Sequence, residues 1–190
     1  MRKIIAALQV SLDGFIEGPN GELDWVENWE DNFNVLPQID TCILGGGMYS
    51  GYEQYWRAIL ANPEGILAFT GKVASKSEID YAHFADKTPH IVLSKTMGEV
   101  TWKNTRVIRD VEEIRQLKQQ SGKDMHAVGG AALVSSLMNS GLIDEIRLVV
   151  HPIILGGGKA LFRDVVGRHA LKLIEAKPLK SGMVCLTYRT

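Results

Sequence analysis

The chain has 190 residues, 45% of them hydrophobic and 23% charged, the balance of an ordinary globular fold long enough to bury one sizeable core. Its 21 basic residues stand against 22 acidic ones with no basic run. The counterion-release attraction behind nucleic-acid binding therefore has no source, and no nucleic-acid partner is expected. Behind Arg2 and Lys3, the apolar stretch 4–8 is broken by Gln9, Ser11 and Asp13, too early for a signal-peptide core or a membrane span. A cytoplasmic protein with no membrane partner is expected.

In chain order, short apolar runs at 4–10, 41–44, 90–93, 125–128 and 146–150 predict strands buried on both faces of a mostly parallel sheet. The stretch after Met48 predicts a helix, with Tyr52, Tyr55, Trp56, Ile59 and Leu60 at helical spacing until Asn62-Pro63 stops it. The irregular segment 62–87 is expected to hold one surface helix near 75–84. Asp110 as N-cap, with Glu113 three residues on and Ile114 and Leu117 on one face, predicts a helix ending at Gly122. A further helix is expected over 130–140, its stripe Leu133, Val134, Leu137 and Met138 facing the core and Gly141 closing it. Segments 170–176 and 183–188, parted by Pro178 and Lys180-Ser181-Gly182, predict a closing antiparallel hairpin. Cys42 and Cys185 lie inside apolar runs, where buried reduced thiols are expected. With no repeat or linker, residues 1–190 read as a single α/β domain.

Open α/β sheets bind ligands outside the carboxyl ends of their strands. Three such ends carry glycine here: Gly45-Gly46-Gly47, Gly129-Gly130 and Gly156-Gly157-Gly158. The first two open helices, where free N–H groups can meet a phosphate without side-chain obstruction. In the third, a tight turn and a ligand contact are equally good readings. Competing motifs fail letter by letter. The Rossmann pattern breaks at Ser50, a phosphate loop over 65–72 is one residue too long, and Ser50 misses the nucleophile elbow by one position. The five histidines lack metal-binding spacing, so no metal is expected.

The run Ala6-Ala7-Leu8-Gln9-Val10-Ser11-Leu12-Asp13-Gly14-Phe15-Ile16, then Ile43-Leu44-Gly45, Leu93-Ser94-Lys95, Val128-Gly129-Gly130 and Asp144-Glu145-Ile146 through Gly156, resembles the dihydrofolate reductase superfamily. The branch it looks most like contains the C-terminal reductase domain of bacterial riboflavin-biosynthesis enzymes and its small stand-alone relatives. The resemblance implies a three-layer fold, a mixed and mostly parallel sheet with helices on both faces and a C-terminal antiparallel hairpin. It also implies NADPH as cofactor, hydride transfer to a pyrimidine, a pterin or a related small substrate (5-amino-6-(5-phosphoribosylamino)uracil in one branch), and a homodimer.

Residue by residue, the resemblance sets Ala7, Gly14, Phe15 and Ile16 beside the nicotinamide, Gly45, Gly46, Gly47, Met48, Gly129 and Gly130 near the phosphates, and Ser94 with Lys95 near the adenosine 2′-phosphate. Asp13 or a water is the proton source, although Asp13-Gly14 is equally well explained as a turn. Trp25, Trp29, Tyr49 and Trp56 are candidates to stack on a flat substrate, against the plainer reading that they pack the core. Glu27, Glu30 and Asp31 are the nearest matches to the carboxylate of the folate branch, and a solvated helix face explains them as well. Two departures stand out. Family members usually carry arginine and threonine after the glycine matching Gly45, where this chain has Gly46 and Met48. The T-x-x-x-D-x-P segment is replaced by Tyr49, Tyr52, Tyr55 and Trp56. They keep a second reading open: a non-catalytic homodimer that binds a nucleotide or metabolite on the same fold.

Overall fold

The computed structural model describes residues 1–26, 29, 31–68 and 70–190. Its centre is an eight-stranded sheet in the order β5-β4-β3-β6-β1-β7-β10-β9. The strands are β1 (Ile4–Ser11), β3 (Ile39–Gly45), β4 (His90–Leu93), β5 (Thr105–Ile108), β6 (Asp124–Gly129), β7 (Glu145–His151), β9 (Lys172–Pro178) and β10 (Val184–Arg189). The first six run parallel, and β10 pairs antiparallel with both β7 and β9. A separate two-stranded sheet joins β2 (Phe15–Glu17) to β8 (Lys159–Ala160).

Side-chain alternation along β1 divides the core. Ile4, Ala6, Leu8 and Val10 face one side, where α3 (Val111–Gln119) and α4 (Ala131–Asn139) supply Ile114, Leu133, Val134 and Leu137. Ile5 and Ala7 face the other, packing with Val35, Ile39 and Cys42. On that second face α1 (Gly46–Ala61) and α2 (Lys76–Lys87) bury Tyr49, Tyr52, Trp56, Ile59 and Tyr81 against Leu44 and Val92. Helices therefore cover both faces of the sheet, as expected from the resemblance.

The five predicted parallel strands form within one or two residues of their expected ends. The short strand β5 was not anticipated, because Arg106 interrupts its apolar run. As an edge strand it needs only half-burial, and Arg106 lies exposed beside Glu113 at 3.6 Å. The hairpin forms with β9 shifted two residues later than predicted, so that Pro178 ends the strand. Helix α2 runs three residues beyond its predicted end and is fixed at its start by a capping box between Ser75 and Glu78. At α3 the Asp110 side chain accepts from the Glu112 N–H at 3.0 Å, while the Glu113 carboxylate accepts from the Arg109 N–H at 3.4 Å rather than from Asp110. Gly141, at φ +63, closes α4 as expected. Both cysteines are buried free thiols, and desolvation pushes the Cys42 thiol up to about 12. Among the described residues no helix is long and apolar enough to cross a membrane, and no group of His, Cys, Asp or Glu is arranged to hold a metal ion.

Candidate functional site

The carboxyl ends of β3, β4 and β6 open, with the middle of β1, onto one cavity of about 1220 Å³. Gly45, Gly46, Gly47 and Met48 line it from the start of α1, and Gly129 and Gly130 from the start of α4. Neither helix has a side-chain cap, so its first N–H groups are free for an anion. Gly129 is held at φ +140 with Leu8 Cδ2 3.1 Å from where a Cβ would stand, so backbone conformation and close packing both select glycine there. Gly46 is selected by sterics alone: a Cβ would lie 2.6 Å from Ser94 Oγ and 2.7 Å from Ser94 Cβ. Any side chain at this position would have to displace Ser94.

Ser94 and Lys95 follow β4 and line the same cavity, and Arg109, which follows β5, stands beside them and donates from Nη1 to the Ser94 carbonyl at 2.6 Å. Arg109 was missed by sequence reasoning because the strand that places it was missed. Ala7 and Ile16 line the same cavity, and Trp56 also reaches its wall.

Five of the residues singled out do not line the cavity. Asp13 lies in the turn after β1, accepting from Ser11 Oγ at 2.7 Å and from the N–H groups of Leu155 and Gly156 at 3.2 and 2.8 Å. The Ser11 hydroxyl first, then the two backbone donors, hold its carboxyl below the usual range, so it is ionised at neutral pH. Gly14, at φ +86, completes that turn, and Phe15 pairs with Ala160 in the small sheet. Tyr49 corrects a substrate-stacking expectation: it is 3% exposed, its hydroxyl accepts from the Trp102 N–H at 3.3 Å, and it belongs to the aromatic core. Trp25 is half-buried and meets His151 edge-on, with ring centroids 5.2 Å apart. Glu27 and Glu30 lie outside the described residues. Asp31 lines the cavity, and its two carboxylate oxygens accept from the Val35 and Leu36 N–H groups at 2.9 and 2.8 Å, fixing the loop that follows.

His126 in β6, passed over among scattered histidines, also lines the cavity. Its Nε2 is 3.4 Å from the Ala7 carbonyl, and its buried Nδ1 has no hydrogen-bond partner among the described residues. Burial pulls its pKa down to about 4, so the ring is neutral at pH 7. Period-2 alternation along β6 was the signal that could have found it, since it sets His126 on the face of Val128 and away from Ala127.

Comparison with known proteins agrees with this geometry. The sequence pattern of the RibD C-terminal domain matches residues 2–185. The uncharacterized protein YyaP of Bacillus subtilis is 37% identical over 191 residues, covering 98% of this chain and 94% of its own. Among solved structures, dihydrofolate reductase from Enterococcus faecalis, complexed with NADP(H) and RAB-propyl, superposes with a TM-score of 0.63 at 16% identity, covering 98% of this chain and 95% of its own. The diaminohydroxyphosphoribosylaminopyrimidine deaminase/5-amino-6-(5-phosphoribosylamino)uracil reductase of Thermotoga maritima gives 0.64 at 15% identity, over 99% of this chain and 56% of its own. By the match over residues 2–185 the chain belongs to the RibD C-terminal domain family, and by the superpositions it has the dihydrofolate reductase-like fold.

Proposed function

We propose that the protein is an NADPH-dependent reductase that passes hydride to a pyrimidine, a pterin or a related small ring, acting as a cytoplasmic homodimer. The observation that carries this reading is the placement of Lys95 and Arg109 beside Ser94 at the margin of a cavity that also holds two uncapped helix starts. Two cations where β4 and β5 end suit the adenosine 2′-phosphate, and the free N–H groups at Gly46 and Gly130 suit the pyrophosphate. On this reading the one cation missing, at position 46, is replaced by two that follow neighbouring strands.

When bound, the cofactor supplies the hydride, which a C=N or C=O of the substrate takes on carbon while a proton from water reaches nitrogen or oxygen. The chain's part is positioning. Ala7 and Ile16 would wall the nicotinamide, Met48 and Gly129 would stand near the phosphates, and Asp13 holds the loop at 155–156 against the turn after β1. Support for the dimer comes from β9, which is exposed along its whole length and presents Leu173 and Ile174 to solvent.

The test is titration of the purified protein with NADPH and with NADH, following nicotinamide fluorescence and thermal stability together. NADPH is expected to bind about tenfold or more tighter, and Lys95→Ala with Arg109→Ala is expected to erase that preference. Absence of binding by either nucleotide at roughly millimolar concentration would overturn the proposal. Tight binding with no turnover of any pyrimidine or pterin would favour the non-catalytic binding protein.

A further inference from the structure

The outer part of the large sheet, beyond β7, has one charged face and one apolar face. Residues directly opposite each other in an antiparallel pair point to the same side. Cys185 with Lys177, Thr187 with Glu175 and Arg189 with Lys172 therefore share one face of β10 and β9. Val184 with Pro178, Leu186 with Ala176 and Tyr188 with Leu173 share the other. This second set carries no charge and continues the positions of Val150, Leu148 and Ile146 on β7. The charged face is covered at β10, where Cys185 is buried with Val149 and Met183 beside Phe33 and Leu179. On the apolar face the cover runs out toward the margin. Ile146 is buried in the cluster that α4 helps to form, Tyr188 beside it is half-buried, and Leu173 is 51% exposed.

The segment that precedes β9 lies on the same side. Leu161 and Val165 pack into the cluster of Ile146, and Asn139 at the end of α4 donates to the Asp164 carbonyl at 3.0 Å and accepts from the Val166 N–H at 2.9 Å. Phe162 and Val166 turn outward from those anchors, Val166 to 74% exposure. Most of the exposed large hydrophobic side chains among the described residues fall within 153–174. An apolar surface concentrated in this way is the mark of an interaction site.

Two features select its occupant. The margin of β9 is unsuited to receiving a further strand, because the register shifts at Ile174 and Pro178 has no N–H to donate. The apolar face has no charge to repel its own image, and two such faces meeting about a two-fold axis close the assembly at two copies. Resting on the homodimer reading above, we infer that a second copy docks face to face on the apolar side of β10 and β9, with Phe162 and Val166 at the border, and that the margin of β9 stays unpaired. The partner then stands behind the segment whose Lys159 and Arg163 line the cavity.

The experiment is sedimentation velocity of the full protein over roughly 1 to 100 micromolar, a range in which mass action shows a dimer dissociating. Ala176→Glu and Val166→Glu each set a charge in the apolar face and should weaken the dimer about tenfold or more. Glu175→Gln and Lys177→Gln alter the opposite face of the same strand and should change it by less than about twofold. Val166 is exposed enough for its variant to fold, which melting temperature checks alongside. A dimer that survives both Ala176→Glu and Val166→Glu overturns the inference, as do charged-face variants that dissociate as readily as the apolar-face ones, the result expected of pairing along the margin. A wild-type protein that is monomeric over the whole range removes the homodimer reading itself, and the inference with it.

Discussion

The Gly156 N–H donates to Asp13 Oδ2 at 2.8 Å, joining the turn after β1 to a glycine loop 143 residues further along the chain. Because the Ser11 hydroxyl and two backbone donors hold the Asp13 carboxyl low, the group stays charged across the neutral range. What these bonds stabilise is present above the unfolded value near 3.8 and is lost as pH falls below it. Asp13→Asn should therefore raise the KM for NADPH by about threefold to tenfold without moving the pH–rate profile between about pH 6 and 8. A displaced limb in that profile would show instead that Asp13 exchanges the reaction's proton.

His90 and His126 are both buried, and desolvation lowers each pKa to about 4. The unfolded chain binds protons that the native chain refuses, so stability is full above about pH 6.5 and falls as pH drops toward 4. Between pH 7 and 5 each histidine should account for about 2 kcal/mol, an order-of-magnitude figure. Urea unfolding at the two pH values measures the total, and His126→Leu should remove roughly half of the histidine-dependent slope. An unchanged slope in that variant would mean that His126 titrates normally.

Restoring the arginine usual in the family at position 46 should weaken the cofactor site. A Cβ there meets Ser94 Oγ and Cβ at 2.6 and 2.7 Å, closer than real contacts allow, so even Gly46→Ala should destabilise by about 1–3 kcal/mol. Ser94→Gly, combined with Gly46→Ala, should recover much of that loss, giving a strong coupling in a double-mutant cycle. Additive effects of the two substitutions would refute the steric account.

The dimer proposed above predicts twice the monomer mass by light scattering. Leu173→Glu, on the strand that lies exposed along its whole length, should reduce that to the monomer with little change in melting temperature. A monomeric wild-type protein at tens of micromolar would dispose of the homodimer.

What the sequence made legible was whatever periodicity and glycine could carry. Parallel strands buried on both faces read as apolar runs, so β1, β3, β4, β6 and β7 were visible, and the glycines at their carboxyl ends pointed to the cavity. Strand β5 escaped because an edge strand need not be apolar throughout, and Arg109 escaped with it. The two-residue strand β8 is too short for any periodicity. Tyr49 and Trp56 lie about two turns apart on one face of α1 and both belong to the aromatic core, yet only Trp56 also lines the cavity. Asp13 was legible as a turn residue, while its partners at 155 and 156 were not, since bonds across 142 and 143 residues leave no local trace.

The two margins of the large sheet are both guarded by charge. Along β9, Lys172, Glu175 and Lys177 interrupt the apolar positions and Pro178 removes a donor at its end, while β5 carries exposed Arg106. A strand edge of this kind accepts one complementary neighbour in fixed register but penalises every slipped or repeated pairing, because each brings like charges face to face. Such gatekeepers separate assembly from fibre formation, so a margin that would otherwise template amyloid-like growth is blunted.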